Sequence, residues 1–214
     1  TGVPLVNSTN ITYIVSAQNT GGVAHAHLNI TVVEPLAVLA FNQSFLLTRG
    51  ETYLNATVNN TGGQVVSWSI EPTLPAGVDL WNGLLYGTST VNLTQTTFTV
   101  WANNSGGSAN LTFTLEVIEP VAVVDYADGE VVLVNGVSRG LIVPVVAGGV
   151  PENWSIEPAL PPGLSFVNGY IVGVATMNLT TTTYTVWANN SGGVALATFN
   201  LTVNQPTFYA RYPF

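Results

Sequence analysis

The chain has 214 residues, of which only 7% are charged, against about 25% in an ordinary soluble domain. Eleven acids face three arginines (Arg49, Arg139 and Arg211) and no lysine, so no basic stripe exists to neutralise the phosphates of a nucleic acid. Cysteine is absent too, which excludes a disulfide framework, a zinc knuckle and a thiol nucleophile.

One text recurs along the chain. Trp187-Ala-Asn-Asn-Ser-Gly-Gly193 repeats Trp101-Ala-Asn-Asn-Ser-Gly-Gly107, and Ala17-Gln-Asn-Thr-Gly-Gly22 is a weaker copy. Gly21, Gly106 and Gly192 stand 85 and 86 positions apart, so the chain is an array of one unit of about 85 residues. The spacing predicts an incomplete repeat over 1–35, complete units over 36–119 and 120–206, and over 207–214 the first strand of a further repeat or a C-terminal tail.

In 1–35 only the second half of a unit is present. Gly2, Asn7, Tyr13 and Glu34-Pro35 align with Gly87, Asn92, Phe98 and Glu119-Pro120, and with Gly173, Asn178, Tyr184 and Gln205-Pro206. Ala24, Ala26, Leu28, Ile30 and Val32 alternate with His25, His27, Asn29 and Thr31, the period of 2 that marks a half-buried strand. The same alternation recurs over Ala109–Val117 and Ala195–Val203.

From 36 to 119 short β-rich runs follow one another: Leu36–Phe41, Tyr53–Val58, Val65–Ile70, Thr96–Ala102 and Ala109–Val117. No segment sustains a helical period, and Asn82-Gly83 suits the positive φ angles of a tight hairpin turn. Residues 120–206 repeat the plan, with Asn168-Gly169 in the same place. The fold class predicted is all-β, a tandem of β-sandwich repeats. No run approaches 18 consecutive apolar residues, so no transmembrane segment is expected. No signal-peptide pattern opens the sequence, as expected of a processed product.

Leu74-Pro-Ala-Gly77 with Gly83-Leu-Leu85-Tyr-Gly87, and Leu160-Pro-Pro-Gly163 with Gly169-Tyr-Ile171-Val-Gly173, resemble the Ig-like (cadherin-like) repeats of prokaryotic surface proteins. That family's text is roughly LPxGL followed by GxIxG and an alternating strand ending in a Gly turn. The resemblance covers 1 to about 206 and implies an Ig-like sandwich, common in stalks of bacterial and archaeal surface proteins, with no catalytic activity. Calcium-binding cadherin-like relatives place carboxylates at inter-domain turns where this chain has Asn103-Asn104-Ser105 and Asn189-Asn190-Ser191. Amides and hydroxyls are weak calcium ligands, so no metal is expected there.

The strongest chemical signal is the sequon N-x-S/T. It occurs at Asn7, Asn10, Asn29, Asn42, Asn55, Asn59, Asn92, Asn103, Asn110, Asn153, Asn178, Asn189 and Asn200. Random placement in this composition gives roughly four, so thirteen is about a threefold excess. Dense N-linked glycans would supply the hydration that the missing charge does not; the bland reading is that Asn and Thr are frequent turn and strand residues.

Trp101 and Trp187 fall out of phase with the apolar positions of their strand and are expected to face away from the core, whereas Trp68 and Trp154 face inward with Ile70 and Ile156. The outward pair suits packing under a loop, or stacking on a glycan or a neighbouring subunit. His25 and His27 lack a third ligand and read as solvent-facing strand residues. Asp125, Asp128 and Glu130 read as an acidic turn before a calcium site. Serines in no nucleophile-elbow context and histidines confined to the fragment point to a non-enzymatic chain that needs no cofactor.

The incomplete repeat predicts an unfilled groove and unpaired strands, which are a liability unless covered. In total pattern the chain is similar to the subunits of archaeal thread filaments, glycosylated β-domains joined by donor strands. That likeness implies an extracellular, cell-surface homopolymer assembled head-to-tail, with the donor strand in 1–35 or, second, in Pro206–Phe214. Two alternatives are a stalk or surface-layer segment of a larger protein, and a carbohydrate-binding module with Trp81, Trp101 and Trp187 as its platform.

Overall fold

The alternating apolar residues form strands throughout. The computed structural model describes residues 2–41, 44–126 and 129–207, among which there are nineteen strands and no helix. A hairpin comes first, β1 (Ser8–Asn19) and β2 (Gly22–Val32). There follow β3 (Leu39–Ala40), β4 (Ser44–Thr48), β5 (Tyr53–Thr57), β6 (Asn59–Asn60), β7 (Ser67–Glu71), β8 (Val78–Trp81), β9 (Leu84–Thr88), β10 (Leu93–Asn104) and β11 (Gly107–Ile118). The last set is β12 (Ala122–Asp125), β13 (Glu130–Val134), β14 (Val145–Gly148), β15 (Asn153–Glu157), β16 (Leu164–Val167), β17 (Tyr170–Gly173), β18 (Leu179–Asn190) and β19 (Gly193–Asn204).

Two compact units result. The first joins the residues up to Leu47 with Thr52–Val117; the second joins Thr48–Glu51 with the residues from Ile118 onward. In the first, a sheet of order β4-β11-β10-β7 and a sheet of order β5-β9-β8 share one core of Leu47, Leu54, Leu85, Phe98, Val100 and Phe113 with their neighbours. In the second, the sheet of order β13-β19-β18-β15 shares a core with β12 and β17, through Val124, Val131, Ile171, Tyr184, Val186 and Phe199 among others. Strands closing in two layers on a common core make each unit an Ig-like β-sandwich, the second layer of the second unit being the pairs β12-β14 and β16-β17. The second unit's edge strand β13 runs parallel to β19, with Val131 opposite Leu201.

The two hairpins β10–β11 and β18–β19 are the backbone of these cores. Phe98 stands opposite Phe113 and Tyr184 opposite Phe199, and both ring pairs stack with centroids 5.5 Å apart. Trp68, Ile70, Trp154 and Ile156 pack against the same cores, as their phase predicts. The Asn-Gly turns also form as expected. Asn82 (φ 48°) and Gly83 (φ 78°) connect β8 to β9, and Asn168 (φ 49°) and Gly169 (φ 87°) connect β16 to β17. Two positive φ angles in a two-residue loop match the right-handed twist of the flanking strands.

Two expectations change. The run Leu36–Phe41 is a strand only at Leu39–Ala40, because Asn60 Oδ1 takes the backbone N–H of Val38 at 3.0 Å in place of a ladder bond. The predicted half-burial of β2 is also absent. β1 and β2 pair as an antiparallel hairpin, Tyr13 opposite Leu28, yet both faces are solvent-accessible along nearly their whole length.

Candidate functional site

The β1–β2 hairpin carries one fully apolar face. Ile11 pairs with Ile30, Tyr13 with Leu28, Val15 with Ala26 and Ala17 with Ala24, and cross-strand partners share a face. Ile11, Tyr13, Val15, Leu28 and Ile30 are between 40% and 54% exposed. The repeat equivalents of Tyr13, Val15, Leu28 and Ile30 in β18–β19 are Tyr184, Val186, Phe199 and Leu201, each at most 1% exposed, while Ile11 corresponds to the half-buried Thr182. The opposite face of the first hairpin is mixed: Thr12, Ser16, Gln18, His25, His27 and Asn29 share it with Ile14 and Val23, which are 63% and 52% exposed.

The tips of the β10–β11 and β18–β19 hairpins are built alike, and the β1–β2 tip shares their Asx bond, from the Gly21 N–H to Asn19 Oδ1 at 2.8 Å. Asn104 Oδ1 accepts from the Gly106 N–H and Asn190 Oδ1 from the Gly192 N–H, both at 2.9 Å, an Asx arrangement that fixes the side-chain amide. The free end of each amide then holds the chain that enters the domain. Asn104 Nδ2 donates to Pro35 O at 2.7 Å, and Asn190 Nδ2 to Pro120 O at 2.8 Å. The Glu34 N–H donates to Ser105 Oγ and the Glu119 N–H to Ser191 Oγ, each at 2.9 Å. A Cβ on Gly106 would lie 2.0 Å from the Glu34 carbonyl oxygen, and on Gly192 1.9 Å from that of Glu119, so only glycine admits this close approach.

Glu119 makes a further contact. Its Oε2 lies 2.6 Å from Arg49 Nη2, and this hydrogen bond, helped by the carboxylate charge, holds the guanidinium above its ordinary pKa. In the same unit Tyr126 donates to Gly169 O at 2.6 Å, and burial pushes its pKa up to about 12.

The sequon asparagines are spread over the surface. Asn7, Asn10, Asn29, Asn55, Asn59, Asn92, Asn110, Asn153 and Asn178 are exposed; Asn103, Asn189 and Asn200 are half-buried; Asn42 lies outside the described residues. Asn29 accepts from Thr12 Oγ1 at 2.6 Å and Asn200 from Thr183 Oγ1 at 2.8 Å, the same pair in two repeats. Asn178 accepts from Asn135 at 3.1 Å, and Asn7 bonds Glu34. Asn189 is different: its Oδ1 is buried with no hydrogen-bond partner among the described residues, and its cross-strand neighbour is Asn153, another sequon.

Trp101 and Trp187 are half-buried on positions out of phase with the core, and Trp81 is exposed. His25 and His27 share the exposed polar face, where His25 Nδ1 lies 2.7 Å from Ser16 Oγ. Asp125 and Glu130 are exposed, and Asp128 lies outside the described residues, as does the predicted strand from 208 onward. Among the described residues no group of three or more His, Cys, Asp or Glu could hold a metal ion, and no helix is long and apolar enough to cross a membrane.

No family model and no curated protein matches the chain. Several solved structures do. One is an I-band fragment of titin, with 14% identity, 92% of this chain and 75% of that chain covered, and a TM-score of 0.49. Extracellular domains 3–5 of Drosophila OTK show 20% identity over 86% of this chain and 68% of that one, with a TM-score of 0.43. A Dscam structure shows 14% identity over 90% and 54%, with a TM-score of 0.45. The Ig-like assignment itself rests on the strand order and shared cores described above.

Residue-by-residue reading of the sequence missed the grip of each turn on its Glu-Pro dipeptide. The signal was present as a constant interval: Glu34, Glu119 and Gln205 each follow the second glycine of a turn by 12 positions.

Proposed function

We propose that this chain is an extracellular structural glycoprotein, the subunit of a cell-surface adhesion filament assembled head-to-tail by donor-strand complementation. One observation carries the reading: the apolar face of β1–β2 lies open, although the equivalents of Tyr13, Val15, Leu28 and Ile30 are core residues in both sandwiches (Phe98, Val100, Phe113 and Leu115; Tyr184, Val186, Phe199 and Leu201). Completing the burial of Ile11, Tyr13, Val15, Leu28 and Ile30 is worth roughly 1 kcal/mol for each half-exposed side chain. A strand segment from a neighbouring copy is the natural cover. A contact between two different surfaces need not close on itself, so it propagates as a fibre. Exposed sequons and a surface poor in charge support a glycan coat, and the repeat boundaries at 36, 120 and 206 are the proposed domain limits. No catalytic role is assigned.

Electron microscopy of the native protein tests this. Fibres with glycan density and an axial repeat of one subunit are expected. Monodisperse monomers with intact termini at high concentration would overturn it, and so would a β1–β2 face covered by residues preceding it in the same polypeptide.

A further inference from the structure

We propose that Trp101 and Tyr86, aromatic side chains on the outer faces of the first sandwich, are seats on which the first pyranose rings of N-glycans at Asn110 and Asn55 stack. The proposal rests on the glycoprotein reading above and adds what those glycans bind on the protein itself.

Strand phase fixes which residues share these faces. Val100 and Ala102, on either side of Trp101, are fully buried, so the indole leaves the opposite side of its sheet. Trp101 stands directly opposite Asn110 on β11, and Asn103, two positions along β10, shares its face; both asparagines begin sequons. On the other sheet Asn55 stands directly opposite Tyr86, with the exposed Tyr53 two positions before it, while the adjacent Leu54 and Leu85 belong to the core. The second unit reaches a similar arrangement by other means. Trp187 shares its face with Asn189 on its own strand and with Asn153 on β15, whereas Leu196 takes the place of Asn110. The indole keeps its position in both repeats, while one neighbouring sequon moves from the strand on one side to the strand on the other.

Direct opposition is the geometry that stacks rings in this protein. On the inner faces, Phe98 opposite Phe113 and Tyr184 opposite Phe199 bring ring centroids to 5.5 Å. On the outer faces one ring of each pair is missing, and its place is held by an asparagine whose modification attaches a ring. Opposed Cβ atoms lie about 5 Å apart, so a sugar on Asn110 Nδ2 is within reach of the indole face. The axial C–H bonds of a pyranose carry slight positive charge and meet the negative face of the π system. Trp101 and Tyr86 are half-buried, which leaves ring surface to be covered. Asn7, Asn29 and Asn200 use their side-chain amides in hydrogen bonds; among the described residues Asn55 and Asn110 do not, so their amides are free for the linkage.

The test is a cycle of variants of the full chain: Asn110→Gln, Trp101→Thr and the two together, made in a glycosylating host and in one that does not glycosylate. Glycopeptide mass spectrometry reads occupancy, and thermal unfolding reads the first unit. With glycan present, Asn110→Gln is expected to lower the midpoint by about 4 °C beside Trp101 and by under about 1 °C beside Trp101→Thr, the difference one ring stack makes in a domain of this size. Trp101→Phe, which keeps a ring, is expected to retain most of this coupling, and the unglycosylated set is expected to show none. Asn55→Gln with Tyr86→Thr makes the same cycle on the other sheet. Glycan at Asn110 without coupling, or equal coupling in both hosts, would overturn the seat and leave the glycoprotein reading standing. So would an empty Asn110 on a chain glycosylated elsewhere. Weaker self-association of unglycosylated Trp101→Thr than of its parent would assign the indole to a subunit contact and overturn the seat as well. A parent chain with no glycan at any sequon would overturn the glycoprotein reading and the seat with it.

Discussion

The hairpin β1–β2 and the hairpin β18–β19 are nearly the same object in two environments. Both have a twelve-residue first strand, a two-residue turn closed by an Asx contact, and the same cross-strand register. Tyr13 and Tyr184 occupy the same position, yet Tyr184 is buried against Phe199, whereas Tyr13 faces solvent beside Leu28. The difference therefore lies in what covers the face, not in the strands. Local alternation is enough to write a strand; only a second sheet turns its apolar side into a core.

The strongest way to break this comparison is a buried charge. Val186→Asp is expected to destabilise the second sandwich by more than about 4 kcal/mol, since an unpaired carboxylate has no partner there. Val15→Asp, its equivalent, is expected to leave urea unfolding of the dilute chain unchanged while abolishing assembly. Equal destabilisation by the two, followed by tryptophan fluorescence, would show that the first hairpin already has a cover.

Alkaline pH gives a smaller contrast. Tyr126, raised to about 12 by burial, ionises later in the folded chain than in the unfolded one. Its contribution is intact below pH 10 and is lost as pH rises towards 12, by at most roughly 2 kcal/mol. Tyr184, also raised by burial, acts in the same direction. The first sandwich has Phe41 and Phe98 at these places, so its stability should not follow this slope. Tyr126→Phe is expected to reduce the alkaline loss in the second unit; an unaltered slope would contradict the assignment.

Ser191→Ala removes the acceptor of the Glu119 N–H and is expected to cost about 1 kcal/mol in the second unit. Thr20→Ala, its counterpart, should cost the dilute chain nothing measurable. Faster hydrogen exchange at the Glu119 amide in the first variant would locate the effect; unchanged exchange there would count against the grip.

The smallest effects concern the proposed glycans. Asn153 and Asn189 are opposite one another on adjacent strands, too close for two branched sugars, since directly opposed Cβ atoms are only about 5 Å apart. Glycopeptide mass spectrometry is expected to find one of the two occupied per molecule, with Asn153→Gln raising occupancy at Asn189. Full occupancy at both would refute the exclusion. Asn29, exposed, should be more occupied than its half-buried equivalent Asn200.

Much of the fold was legible because its determinants are local. Alternation at Ala195–Val203 shows which residues turn inward, and Asn-Gly at 82 and 168 specifies the turn without reference to anything distant. The exposure of Leu28 was legible only from the missing first half of its repeat, because its alternation by itself is indistinguishable from that of Phe199. The hydrogen bonds of Asn104 and Asn190 were not legible either, since they depend on a dipeptide about 70 residues earlier. For the same reason Asn189 reads as a plain sequon, although a neighbouring strand half-covers it.

The open face of β1–β2 has a consequence for folding itself. An isolated two-stranded ribbon is marginal in water. If a second copy completes it, the order of residues 8–32 is governed by mass action and not by the single chain alone. Dilution would then melt this ribbon first while both sandwiches persist, and the same dilution that separates the subunits would make their joints accessible to proteases. Durability of the fibre would thus be a property of local concentration at the cell surface, renewed by each subunit that is added.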